Sequence, residues 1–116
     1  MVNKGEDVTS RFNPTGVVNL DIGEWDWVIV QVVGPTGTIT FNASCDGGAI
    51  HGETTGNATS AINFTAVQAT NLATGAATTT SAASGLFKFS VVGKYLQLSS
   101  PGQTATKIIV YTAKIQ

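Results

Sequence analysis

Charge is scarce in this chain. Six Lys and Arg and seven Asp and Glu make up 11% of its 116 residues, against a usual share of about 25%. The net charge is −1 and no basic cluster occurs, which argues against a nucleic-acid partner, because affinity for phosphate backbones comes mainly from grouped Lys and Arg. Cysteine and histidine occur once each, as Cys45 and His51. A disulfide within the chain is therefore excluded, and a structural zinc site within one chain nearly so. The lone Cys fits production in a reducing cytoplasm. No run approaches the roughly 18 apolar residues of a membrane span, and Met1 to Asp7 lacks the apolar stretch of a signal peptide, so no membrane partner is expected.

Hydrophobic residues, at 42% of the chain, are plentiful enough for a core. A chain of this length forms one domain that buries roughly two thirds of its unfolded surface. Its surface is left to Thr, Ser, Asn, Gly and Ala, which fits a protein packed against copies of itself or a larger partner. The charges are also unevenly placed: every acid precedes residue 54, while Lys88, Lys94, Lys107 and Lys114 follow residue 87. Interleaving of strands from the two halves would mix them. The alternative is a dipolar molecule whose acidic and basic surfaces meet in neighbouring subunits.

Trp25 to Val33 (Trp-Asp-Trp-Val-Ile-Val-Gln-Val-Val) is nearly all β-branched or aromatic and reads as a central strand. Val28, Val30 and Val32 share one face; Trp25, Trp27, Ile29 and Val33 share the other. One face can fill the core, and the other must be covered by something. Alternation continues in Val17 to Ile22, Thr38 to Ser44, Gly85 to Val91, Tyr95 to Ser99 and Lys107 to Ile115, with Ala61 to Gln68 as a strand of open register. Gly34-Pro35-Thr36-Gly37 is a strong turn, expected to close a hairpin with the strand after it, and Gly93-Lys94 a tight return into Tyr95. Asn71 to Ser84 is nearly all Ala, Thr, Gly and Ser, and its Ala76 to Ala82 portion reads as an edge strand.

The expected fold is all-β: an antiparallel β-sandwich of about eight strands, in jelly-roll or immunoglobulin-like order. Residues 1–15 are expected to form an extended N-terminal arm and residues 16–116 the sandwich. Pro14 forbids a central strand near it, leaving a frayed terminus or a strap that orders on a neighbour with Phe12 as its anchor.

Chemistry is hard to find. Cys45 to Ser60 is a long Gly- and Thr-rich loop, a length that usually marks function or ordering by a partner. Asp46-Gly47-Gly48 with Glu53 lacks the alternating carboxylates of a calcium loop. Cys45, His51 and Glu53 lie close in sequence but on no rigid element that would hold reacting geometry. No catalytic residue, metal ligand or cofactor is assigned, and no enzyme is expected. Trp25 and Trp27 remain: paired aromatics can be buried in a core, sealed in a subunit contact, or exposed to stack on sugar rings.

Three stretches carry a resemblance: Thr38 to Gly48 (Thr-Ile-Thr-Phe-Asn-Ala-Ser-Cys-Asp-Gly-Gly), Phe64 to Gly75 (Phe-Thr-Ala-Val-Gln-Ala-Thr-Asn-Leu-Ala-Thr-Gly) and Gly85 to Leu96 (Gly-Leu-Phe-Lys-Phe-Ser-Val-Val-Gly-Lys-Tyr-Leu). Together they resemble the small all-β structural proteins of tailed bacteriophages, in which a strand ending in Asp-Gly-Gly leads through an Ala/Thr-rich crossover to a Gly-Leu-Phe or Gly-Leu-Tyr strand. The likeness covers about residues 25 to 115. Family members often place a Trp soon after Asp-Gly-Gly, where this chain has Ala49-Ile50-His51-Gly52.

The resemblance implies a virion component assembled in the bacterial cytoplasm. Its leading form is a capsid decoration (cement) protein that binds the major capsid protein and copies of itself, as a homo-oligomer such as a trimer. Phe12, Trp25, Trp27 and Ile29 are the expected contact residues. Two other roles fit the same resemblance: a host-glycan or receptor-binding module of a head fibre or tail tip, and a tail-tube or neck connector.

Overall fold

In the computed structural model, residues 2–13, 15–45, 63–90 and 95–114 are described. They form two antiparallel sheets packed face to face. The strands are β1 (Val2–Asp7), β2 (Val17–Asp21), β3 (Trp27–Val33), β4 (Ile39–Ser44), β5 (Thr65–Ala66), β6 (Ala69–Asn71), β7 (Ala77–Thr78), β8 (Thr80–Ser81), β9 (Gly85–Phe89), β10 (Tyr95–Ser99) and β11 (Lys107–Lys114), with one 3-10 turn at Thr9–Phe12. Eleven strands among the described residues replace the expected eight, mainly because β1 was not foreseen and the Ala/Thr-rich region breaks into short pieces.

One sheet has the order β1-β11-β3-β9-β6-β7; the other has β2-β10-β4-β5, with β8 also beside β4. The core lies between them and takes every second residue: Val28, Val30 and Val32 from β3, Phe87 and Phe89 from β9, Ile108 and Val110 from β11, facing Val18, Leu20, Ile39, Phe41, Leu96 and Leu98. Strand β3 is flanked on both sides, by β11 and β9, which is the central place its composition calls for.

The expected hairpin across Gly34 to Gly37 does not form, because β3 and β4 belong to different sheets. This turn is instead held to the loop before β11. Gln103 Oε1 accepts from Thr36 N at 2.7 Å and from Thr36 Oγ1 at 3.1 Å, and Thr104 N donates to Thr36 Oγ1 at 2.8 Å. The chain is thereby carried over the end of the sandwich instead of back along its own sheet. β9 and β10 likewise lie in different sheets, so Tyr95 does not open the second arm of a hairpin. Gly93 and Lys94 themselves fall outside the described residues.

The expected edge strand over Ala76 to Ala82 is two strands. β7 pairs with β6 in one sheet and β8 with β4 in the other, and Thr79 O between them accepts from Phe41 N at 3.0 Å. Small Ala and Thr side chains let the chain pass from one layer to the other there.

The arm is also corrected. Val2–Asp7 pairs along its whole length with β11, and the following turn inserts Val8 and Phe12 into the core, 0% and 2% exposed. An end strand needs only backbone hydrogen bonds on one side, so a polar sequence serves. Arg11 then ties the two sheets together, its Nη1 3.0 Å from Glu6 Oε2 of β1 and its Nη2 donating to Asn19 O of β2 at 3.1 Å.

Candidate interaction surface

Since β3, β9 and β11 send alternate residues inward, the residues between them form the outer face of the six-stranded sheet. Cross-strand register builds this face row by row. Ile29 lies between Tyr111 and Lys88, Gln31 between Ile109 and Leu86, Trp27 opposite Ala113, and Val33 opposite Lys107. The result is an apolar surface on three adjacent strands, with Leu86 43%, Tyr111 37% and Val33 36% exposed and Trp27, Ile29 and Ile109 half-buried. Its charges lie among or beside these side chains: Lys88 Nζ sits 5.7 Å from the Trp27 ring centroid, and Lys107 Nζ lies 4.0 Å from Asp7 Oδ2.

The outer face of the other sheet has the opposite character. Asn42, Gln97 and Asn19 line up across β4, β10 and β2. Asn42 Nδ2 donates to Gln97 Oε1 and Gln97 Nε2 to Asn19 Oδ1, each at 3.1 Å. An amide row of this kind satisfies itself and is content in water. Among the described residues the two outer faces therefore differ, the larger apolar area lying on the six-stranded sheet.

The four expected contact residues separate. Trp27 and Ile29 lie side by side on the apolar face. Phe12 is core and unavailable to a partner. Trp25 precedes β3, its N–H donating to Ile22 O at 3.1 Å, and its half-buried ring packs on the core in place of sharing a face with Trp27. It lines a groove of about 190 Å³ between the β1 and β2 edges, together with Lys4, Glu6, Arg11, Asp21 and Thr112. That is small beside the ~300–1,000 Å³ of ordinary ligand pockets. Tyr111, Leu86 and Ile109 complete the apolar face but were not expected beside Trp27. Alternation places each on an outward face; only the neighbour order β11-β3-β9 brings them together.

Cys45 is exposed and unbonded to another Cys. Asp46, His51 and Glu53, the remaining residues weighed for calcium or nucleophilic chemistry, lie outside the described residues. Among the described residues no three His, Cys, Asp or Glu side chains cluster, and no helix is long and apolar enough to cross a membrane.

No family model matches the chain, and no curated protein matches it. Among solved structures it is similar to the crystal structure of the SPBc2 prophage-derived protein YomS. The TM-score is 0.65 at 14% sequence identity, over 96% of this chain and 92% of that one. At such identity the likeness is one of fold, and it runs over nearly the whole chain.

Proposed function

We propose that this chain is a non-enzymatic structural protein of a phage particle, a capsid decoration protein that seats the apolar face of its six-stranded sheet on the major capsid protein. The observation that carries this reading is that face: Trp27, Ile29, Tyr111, Leu86 and Ile109 turned outward on adjacent strands. Support comes also from the sequence resemblance to small phage structural proteins and from the shared fold with a prophage-derived protein. The strand order fits as well. With β5 and β8 sharing one edge place and β6 and β7 set aside, the four-strand sets β1-β11-β3-β9 and β2-β10-β4-β5 support a jelly-roll reading, an architecture common in viral shells.

The mechanism is mass action. A protein that binds the assembled shell and not its free subunits draws the equilibrium away from disassembly. Burying apolar side chains supplies roughly 25 cal/mol per Å² of the driving force, and the amide-rich sheet is left facing solvent. The face centre, Trp27 beside Tyr111 and Ile29, has the aromatic character of binding hot spots.

The test is location and occupancy. Mass spectrometry and imaging of particles that encode the chain should find it on the head, and Trp27→Ala with Ile29→Ser should empty those positions while the isolated protein stays folded. Absence from the particle, or full occupancy by the double variant, would overturn the reading. Glycan-array binding lost on Trp27→Ala would reassign the face to host-sugar recognition.

A further inference from the structure

Strand β1 ends the six-stranded sheet, and among the described residues only β11 pairs with it. Val8 donates its N–H to Ile108 O at 2.9 Å. Residues of even number in this register therefore face β11, and the N–H and C=O groups of Asn3, Gly5 and Asp7 point away from the sheet. An open edge accepts any strand that meets it, and charge ordinarily blunts it.

The charges on β1 instead complement themselves. Laid antiparallel to a second copy about Gly5, the run Asn3-Lys4-Gly5-Glu6-Asp7 sets Lys4 against the partner's Glu6 twice over. We infer that two copies of this chain join edge to edge through β1, about a two-fold axis at Gly5, so that two six-stranded sheets continue as one.

Three features support this register. Asn3, Gly5 and Asp7 fall in the hydrogen-bonded positions, where their outward main-chain groups can be satisfied. Lys4 and Glu6 fall in the positions between, where opposed Cα atoms approach to about 4.5 Å and side chains meet most closely. A Cβ built on Gly5 meets nothing within 4 Å, so the axis is uncrowded. Within one chain Lys4 Nζ and Glu6 Oε1 are already 3.8 Å apart on one side of the strand, and across the axis the four charges alternate in sign. Sliding the partner by two residues either way opposes Lys4 to Lys4 or Glu6 to Glu6, so the charges select a single register.

The dimer is a property of the isolated chain and does not depend on the phage reading. Its contact is short compared with the ~800 Å² per partner of a standard interface, so association depends on concentration. Sedimentation of the full chain from about 1 μM to 1 mM should show monomer passing to dimer. Lys4→Glu alone and Glu6→Lys alone should each raise the dissociation constant about tenfold, as attraction becomes repulsion at two symmetric pairs. The double reversal should recover most of the lost affinity, because the intersubunit pairs reform with signs exchanged and only the contact of Glu6 with Arg11 within each chain is lost. Gly5→Pro removes an outward N–H that the monomer does not use and should abolish the dimer with the fold retained by circular dichroism. A chain that stays monomeric throughout would overturn the proposal. So would a trimer as the smallest assembly, or a dimer indifferent to these substitutions. Any of these three failures leaves the outer-face reading to stand or fall by its own test.

Discussion

Phe41 of β4 and Phe89 of β9 meet edge-on across the interior, with ring centroids 5.0 Å apart and planes at 84°. Phe87 approaches Phe41 from the same side as Phe89 at 5.6 Å, and Phe41 and Phe89 are wholly buried. This contact joins the inner faces of the two sheets, beside the backbone bond from Phe41 N to Thr79 O in the segment that crosses between them. Edge-to-face pairs add about 0.5–1.5 kcal/mol beyond burial. Phe89→Ala should therefore cost about 3–5 kcal/mol, read as a lowered urea midpoint. A loss under about 1 kcal/mol would mean that the core refills from elsewhere.

How much of this was legible follows from where side chains go. β2, β3, β4, β9, β10 and β11 each bury one face and turn the other outward, so Val28/Val30/Val32 and Phe87/Phe89 announce themselves by alternation. β1 did not, because Val2, Lys4 and Glu6 are held by backbone pairing with β11 and leave no apolar signature. Phe12 reads as an anchor for a neighbour for the same reason, since nothing local says that its chain doubles back under its own core. The assignment of strands to sheets was hidden too. It turns on contacts between residues far apart in sequence, such as Thr36 with Gln103.

Gln103 gives a second prediction. It is buried, accepts two hydrogen bonds from Thr36 and donates from Nε2 to Ser100 Oγ at 3.0 Å. Gln103→Ala leaves the Thr36 N–H without its partner and should cost about 1–3 kcal/mol. Thr36 lies in an exposed turn where water can enter, which favours the lower part of that range. Faster amide exchange at Thr36 and Thr104, with β2 and β10 unchanged, is the signature to seek.

Gly16 marks a point where two corners touch. Its φ is +79°, and a Cβ there would lie 2.6 Å from Pro101 Cα, while Ser100 N donates to Gly16 O at 2.7 Å. Gly16→Ala combines a left-handed backbone with a clash against main chain, which cannot rotate aside. The expected result is a loss of at least about 1–2 kcal/mol, seen as a lower melting temperature. A neutral outcome would show that the Pro101 turn moves freely.

Acid should loosen the β1 corner. Hydrogen bonds from the Thr9 hydroxyl and then the Thr9 N–H hold the Asp7 carboxyl below its ordinary range, and Lys107 adds to this. The contribution is complete above the ordinary Asp value of about 3.9 and is lost as pH falls through the depressed one. The Thr9 hydroxyl also accepts from Ile108 N at 2.8 Å, so the loss should reach the start of β11. An NMR titration should show the Thr9 and Ile108 amides moving together below about pH 4, and Asp7→Asn should remove that transition. Independent movement of the two amides would refute the link.

Leu86 and Phe87 are neighbours in sequence on opposite faces of β9, the first 43% exposed and the second 3%. Threonine suits a strand at either position, so a matched pair of substitutions isolates the face. Phe87→Thr leaves a cavity beside Phe41 and buries a hydroxyl, and should cost about 3–5 kcal/mol. Leu86→Thr removes only outward apolar area and should stay within about 0.5 kcal/mol of the parent. On a particle the ranking should reverse: Leu86→Thr, fully folded, should lower occupancy if the proposed face makes the contact. If it lowered the stability of the free protein as much as Phe87→Thr does, the outer face would be covered from within the molecule, and no apolar surface would be left for a capsid subunit to meet.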